Sequence, residues 1–441
     1  MAYDRRTLLK AMAGTSAAGL LAGCGGDGSG NTTEEGGDDP TTLSLGGDTS
    51  DLPCDLEDYG TIQPDEGSGE VTLWHARTDG GTSLLEDAKS SWQNNTDSSL
   101  TLSRIPQSNF QAKLQSSIPS GDGPYLFEWA HDRAGNYDAN GFLSDQAGNI
   151  DIPNCMLTEV ALEASAYDGK RIGVPWAAET VTLMYNKEMV DEPPETLSDM
   201  KSIMEEYHDP ENGTYGLGYA INPYNVSGFA QAYGEEVYNG EEDTLGLTTD
   251  EVIKGLRIVI DDLAPYMPND PGGDAQLSVF QEGNAPLYIS GPWDVAGLQD
   301  SNAVDLGLTT MPSLPEGGQF RPYTGVKLMY FASKMDNGSA AGAARDYAEW
   351  FASNETELLR HANEGNFVPV HTKLAGQDQL PEAVKTFALQ VQNGYPMPKN
   401  PKMDQVWGPY GDAVTSTFNG NGNLEDNLET AAENIRESWS S

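Results

Sequence analysis

Within five positions of the segment "GPYLFEWAHDRAGNYDANGFL" (Gly123–Leu143) stand Trp129, His131, Asp132 and Arg133, directly behind the apolar run Tyr125, Leu126, Phe127. An indole offers a flat apolar face, an ionised carboxylate accepts hydrogen bonds, and a guanidinium donates them in a rigid fork. One turn of chain thus supplies stacking area, acceptor and donor together. Two uses follow. The group can grip a small ligand that is apolar on its faces and polar at its rim, or, with a second acid such as Glu179, it can flank a glycosidic bond for hydrolysis. Other catalytic constellations are missing: the sequence has no G-x-S-x-G, no H-E-x-x-H and no P-loop pattern. The five histidines (His75, His131, His208, His361, His371) lack metal-ligand spacing.

The elements that must hold these side chains read as alternating strands and helices from Glu70 onward. Val71–Trp74, Arg171–Pro175, Thr182–Tyr185, Ala285–Ser290 and Val326–Ala332 have strand character. Thr248-Thr249-Asp250-Glu251 has the spacing of a helix cap before Val252, Leu256, Val259, Ile260 and Leu263, and Ala344, Tyr347, Ala348 and Phe351 mark another helix. Mixed α/β without a short repeat implies layered sheets covered by helices. At 441 residues two domains are expected.

Composition narrows the partners. Against 24 basic residues stand 68 acidic ones, a net charge of −44. Such a surface repels nucleic acid and anionic lipid. It suits a salt-rich habitat such as that of a halophilic archaeon, because molar salt shortens the Debye length to roughly 3 Å. A disordered acidic chain is excluded by periodic apolar segments that run to the C-terminus. At the N-terminus, Arg5-Arg6 precede an apolar stretch that ends in Leu21-Ala22-Gly23-Cys24. This is the pattern of twin-arginine export with a lipid attachment cysteine, Cys24, and residues 1–24 are read as that leader. Residues 25–69 form an acidic Gly/Ser/Thr-rich tether, about 45 residues with a coil span of roughly 35–40 Å. Of the three cysteines, Cys54 and Cys155 remain for a disulfide or for two free thiols.

Residues Ser120–Leu143 resemble the corresponding segment of maltose/maltodextrin-binding proteins, the solute-binding subunits of ABC importers. Further blocks follow in order: "YDGKRIGVPWAAETVTLMYNKEMVDEPPETL" (Tyr167–Leu197), "GNAPLYISGPWDV" (Gly283–Val295), "GNFVPVHTKL" (Gly365–Leu374) and "MPKNPKMDQVWGPYGDAV" (Met397–Val414). The resemblance covers essentially Glu70–Ser441. It implies an α/β, two-lobe periplasmic-binding-protein-like fold (type II), each lobe a mixed sheet flanked by helices, with a hinge between them. By block matching, the N-lobe is 70–178 with 326–376 and the C-lobe is 179–325 with 377–441.

The resemblance also implies a role: a monomeric, lipid-anchored protein at the extracellular face of the membrane hands an oligosaccharide to permease subunits, with no cofactor. A pyranose has two apolar C–H faces and a hydroxyl rim, which the opening motif suits. Trp129, Asp132, Arg133, Glu179, Tyr224, Trp293 and Trp407 match family sugar contacts, with Trp176 an extra aromatic near the hinge. His131 reads as ordering the loop, and Trp74 as core. Three positions depart from the family: Asn222 replaces a Glu before Pro223-Tyr224, Arg77 or Asp79 stands where a Lys is expected, and Gly411 stands where some relatives have Arg. Maltose, a longer maltodextrin, trehalose and another oligosaccharide all remain open as the ligand.

Overall fold

The computed structural model describes residues 61–63, 69–77, 79–301, 303–375 and 377–440. The leader, Cys24, Cys54 and nearly all of the tether lie outside them. Cys155 is buried and disulfide-bonded, to a cysteine outside the described residues.

Alternation of side chains across a strand builds the frame of the site. In strand β3 (Leu126–Ala130), Leu126 and Phe127 enter cores on opposite faces of their sheet, and Trp129 shares the Phe127 side. The larger sheet runs in the order β10 (Val368–Pro369), β4 (Gly173–Glu179), β9 (Tyr323–Phe331), β3, β1 (Glu70–His75), β2 (Ser99–Arg104), with β11 (Tyr395–Pro396) added beside the start of β9. Strand β1 is parallel to β2 and β3, whereas β9 is antiparallel to β3 and β4. The smaller sheet has the order β8 (Leu306–Thr309), β5 (Thr182–Asn186), β7 (Leu287–Ser290), β6 (Leu217–Tyr219).

The chain passes between the sheets in three places. Strand β4 ends at Glu179 and β5 begins at Thr182. Strand β9 starts at Tyr323 in the core beside the smaller sheet and continues through the centre of the larger one. The helix Glu382–Gln392 packs on strands of both sheets, and β11 then leads to the helix Met403–Phe418. Met403, Val406 and Tyr410 of that helix join Leu183, Leu217 and Leu287 in one core. The helix Ala341–Ser353 covers the opposite assembly, placing Tyr347 and Phe351 against Val71, Leu73 and Val174. Burial of these apolar faces drives the layering.

The expected helix after Thr248 is Asp250–Arg257, followed by a wider π turn over Ile258–Leu263. Thr249 rather than Thr248 caps it, accepting from the Val252 amide at 3.4 Å.

Candidate functional site

The opening motif folds because a strand meets a helix with no loop between them. After β3, His131–Arg133 form one 3-10 turn that leads straight into the helix Ala134–Ala139. Gly135 allows this turn to sit tightly, since a Cβ there would overlap the Lys399 carbonyl, Pro401 and the Tyr167 hydroxyl. The His131 ring is buried, and its Nδ1 accepts from the Val326 amide of β9 at 3.0 Å. Burial and the nearby Lys399 charge push its pKa down to about 3, against a raising hydrogen bond to the Met397 backbone. His131 is therefore a neutral brace, as its sequence context suggested.

Asp132, beside it, is a desolvated acid. Its side chain is 9% exposed, and Oδ1 is buried without a hydrogen-bond partner among the described residues. Burial pushes its carboxyl up to about 6; the Arg133 charge opposes this and Glu179 reinforces it. Arg133 lies with Nε 3.7 Å from Asp132 Oδ2, and its Nη1 pairs with Asp404. Trp129 is half-buried and stacked on Phe110, with centroids 4.8 Å apart.

Glu179 ends β4 and is nearly buried, and its Oε2 lies 3.1 Å from Lys327 Nζ on β9. Gly325 makes room, because a Cβ there would press on Glu179 Cγ at 3.0 Å and Met397 Cε at 3.2 Å. Lys327 was not singled out from sequence. Its signal was present: one lysine in the apolar strand "YTGVKLMYF" is seldom placed so without a partner.

Tyr224 sits in the first turn of the helix Pro223–Ala230, with its hydroxyl buried and without a partner among the described residues. Burial, then Glu179 and Asp132, push its pKa up, so the phenol shares their surroundings. The departure at Asn222 has a local reason: its Oδ1 accepts from the Asn225 amide at 2.9 Å and caps this helix. Trp293, 39% exposed, is the one exposed large hydrophobic side chain among the described residues. Its ring folds over Gly291 and lies 6.2 Å from the Tyr224 ring. Trp407 is half-buried, its ring 5.5 Å from Tyr323 and one helical turn beyond Asp404. Gly411 faces Pro223, whose Cδ a Cβ would meet at 3.1 Å, so a side chain at 411 would press on the start of the Tyr224 helix.

Trp176 is a correction. It is 2% exposed and packs edge-on against Phe351, His361 and Phe367, within the core rather than with the group above. It shares the face of Val174, two residues earlier on β4 and in the same core, and a β-bulge adjoins it. Lys327 and Leu328, adjacent on β9, pair with Ala177 and Pro175 on β4, leaving Trp176 without an opposite residue. Arg77 is likewise committed to this core: it donates to Glu128 at 2.6 and 2.5 Å, meets His361 Nε2 at 2.9 Å and lies 4.4 Å above the Trp176 ring. It does not substitute for the Lys expected there.

The structure thus connects Asp132, Arg133, Glu179, Lys327, Tyr224 and Trp293 through contacts and fields. Trp129 lies on β3 just before the turn, and Trp407 lies one helical turn beyond Asp404, the partner of Arg133. Two unpartnered polar atoms, an ion pair whose acid is nearly buried and an exposed indole can bind a neutral, hydroxyl-rich molecule. Among the described residues, no three His, Cys, Asp or Glu converge as metal ligands, and no helix is long and apolar enough to cross a membrane.

Comparison with known proteins bears on the family and the fold. Residues 91–389 match the family described as bacterial extracellular solute-binding protein. A maltotriose-binding protein of Pyrococcus abyssi is 33% identical over 356 residues, covering 79% of this chain and 77% of the relative. A galactooligosaccharide-binding protein of Bacillus subtilis is 23% identical over 402 residues, covering 87% and 92%. Among solved structures, a maltose/maltodextrin-binding domain from Bdellovibrio bacteriovorus bound to maltotriose superposes with a TM-score of 0.76 at 20% identity, covering 84% of this chain and 100% of that one. The Thermus thermophilus maltotriose binding protein bound with maltotriose gives 0.75 at 24% identity, covering 83% and 99%. These likenesses establish the two-lobe α/β fold.

Proposed function

The chain belongs to the family of bacterial extracellular solute-binding proteins, transport proteins rather than enzymes, and from that premise we propose that it captures an oligosaccharide of the maltose/maltodextrin type for an ABC importer. One observation carries the ligand class: Asp132 Oδ1 and the Tyr224 hydroxyl are buried without partners beside the Glu179–Lys327 pair and the exposed Trp293 ring. Leaving such atoms unpaired is costly, and sugar hydroxyls both donate and accept. Indoles at Trp129, Trp293 and Trp407 take the C–H faces, while Asp132, Arg133, Glu179 and Tyr224 take the rim.

Capture proceeds by hinge closure between an N-lobe of 70–178 with 326–376 and a C-lobe of 179–325 with 377–441. Sugar touching both lobes stabilises the closed form, which the permease recognises. The monomer is exported by the twin-arginine route, held by lipid on Cys24, and adapted to high salt. The leader motif, the tether and the net charge of −44 support this. A second ligand class, another oligosaccharide, is favoured by the galactooligosaccharide-binding relative.

Calorimetric titration in molar salt with maltose, maltotriose, a longer maltodextrin, trehalose and a galactooligosaccharide decides between them. Saturable binding of intact maltotriose with a tryptophan fluorescence change is expected, with a Kd of about 1 μM. Shortened products would point to a hydrolase, and silence across the panel would remove the sugar reading.

A further inference from the structure

The Asp404 carboxylate joins the two halves of the fold at the site. Asp404 begins the helix Met403–Phe418, whose buried face belongs to the core of the smaller sheet. Its partners belong to the other side: Arg133 lies in the turn after β3, and Asn136 in the next helix, whose Ala134 and Tyr137 pack beneath the larger sheet. One carboxylate oxygen pairs with Arg133 Nη1, and the other accepts from Asn136 Nδ2 at 2.8 Å. Between these two partners, the Gly135 amide donates to the Lys399 carbonyl at 3.0 Å, and Lys399 Nζ donates to the Glu163 and Ala166 carbonyls at 2.5 and 2.7 Å.

We propose that Asp404 is a positioning residue that aims the Arg133 guanidinium and latches one lobe to the other, setting how far the protein is closed before sugar arrives. The chemistry favours this. Charge-assisted hydrogen bonds to one carboxylate from two donors are strong and directional, and half-burial protects them from salt screening. Arg133 and Asp404 are only 26% and 19% exposed. A latch built from the chain's own side chains raises the closed population, and a ligand that needs the closed form then binds more tightly by the same factor. The effect on closure depends only on the two-lobe fold, whereas the effect on affinity rests on the sugar-binding reading above.

The test is a distance measurement on the full chain. Spin labels are placed at Ser90 and Ser202, exposed positions on opposite lobes, through an unnatural amino acid that leaves the natural cysteines alone. Without sugar, the parent protein should give one short distance. Asp404→Ala should broaden and lengthen the distribution in a protein that still melts cooperatively, with Asp404→Asn intermediate. Saturating maltotriose should restore the short distance, with Kd raised about tenfold, the size of a tenfold loss of closed population. Superimposable distributions for parent and both variants, or a parent already open, would overturn the latch. If Asp404→Ala does not fold, Asp404→Asn decides. If no sugar binds, the functional reading fails, while the sugar-free distances still settle the role of Asp404.

Discussion

Lys327 Nζ stands 3.1 Å from Glu179 Oε2, so the centre of the larger sheet holds the last residue of β4 before the chain crosses to the smaller one. The carboxylate is 9% exposed and the ammonium 28%. Removing the cation leaves a nearly buried acid without its counter-charge. Lys327→Met should therefore lower stability by about 1–3 kcal/mol and weaken sugar binding by a similar amount. Thermal melts and calorimetry in the same high-salt buffer check both. An unchanged affinity would remove Glu179 from the ligand's contacts.

Asp132 carries a pH signature. Its carboxyl rises from 3.8 to about 6, chiefly through burial. Because the folded pKa exceeds the unfolded one, the fold holds an extra proton between about pH 4 and 6 and loses stability as pH climbs through that window, on the order of 3 kcal/mol in all. Asp132→Asn removes the ionisable group, so it should melt higher than the parent near neutral pH, with the gap closing toward about pH 4. Binding should weaken at the same time. A melting gap that ignores pH would contradict this account of the acid.

The indoles Trp293 and Trp407 should separate stability from affinity. Trp293 is exposed, so Trp293→Ala should change stability by no more than about 0.5 kcal/mol while weakening binding about tenfold. Trp407 is half-buried against Tyr323. Its removal should weaken binding by about 2 kcal/mol or more, the scale of a buried aromatic anchor, and also lower the melting temperature. Affinity within error of the parent for either variant would exclude that ring from the site.

Trp176 should behave in the opposite way. Trp176→Ala empties a core position against Phe351, His361 and Phe367, at about 3–5 kcal/mol of stability. Trp176→Phe keeps most of the volume and should bind sugar as the parent does. A selective loss of affinity in Trp176→Phe, with melting unchanged, would return this residue to the ligand.

Some of this was legible in the residues alone. The turn His131–Arg133 brings acceptor and donor together because consecutive residues cannot be far apart, so the motif was readable wherever the fold placed it. Strand and helix positions followed from apolar periodicity, as at β1, β5 and β9. Conservative fit to a family pattern also marked Tyr224 and Trp293, which proved to be neighbours. Trp176 misled because it lies three residues before Glu179, and nearness in sequence does not say which core a side chain enters; alternation from Val174 places it under the helix Ala341–Ser353. Lys327 and Asp404 carry no local motif, and their partners are supplied by other elements.

The amino-acid order by itself determined the acidic surface, the ordered blocks that mark the family, and the chemistry carried by each candidate side chain. Only the tertiary structure decided which of those side chains face one another, that Asp132 is stripped of water, and that Asp404 reaches Arg133 across 271 positions of chain. The reason is physical: identity belongs to a single residue, whereas desolvation and pairing are sums over atoms that only folding brings near.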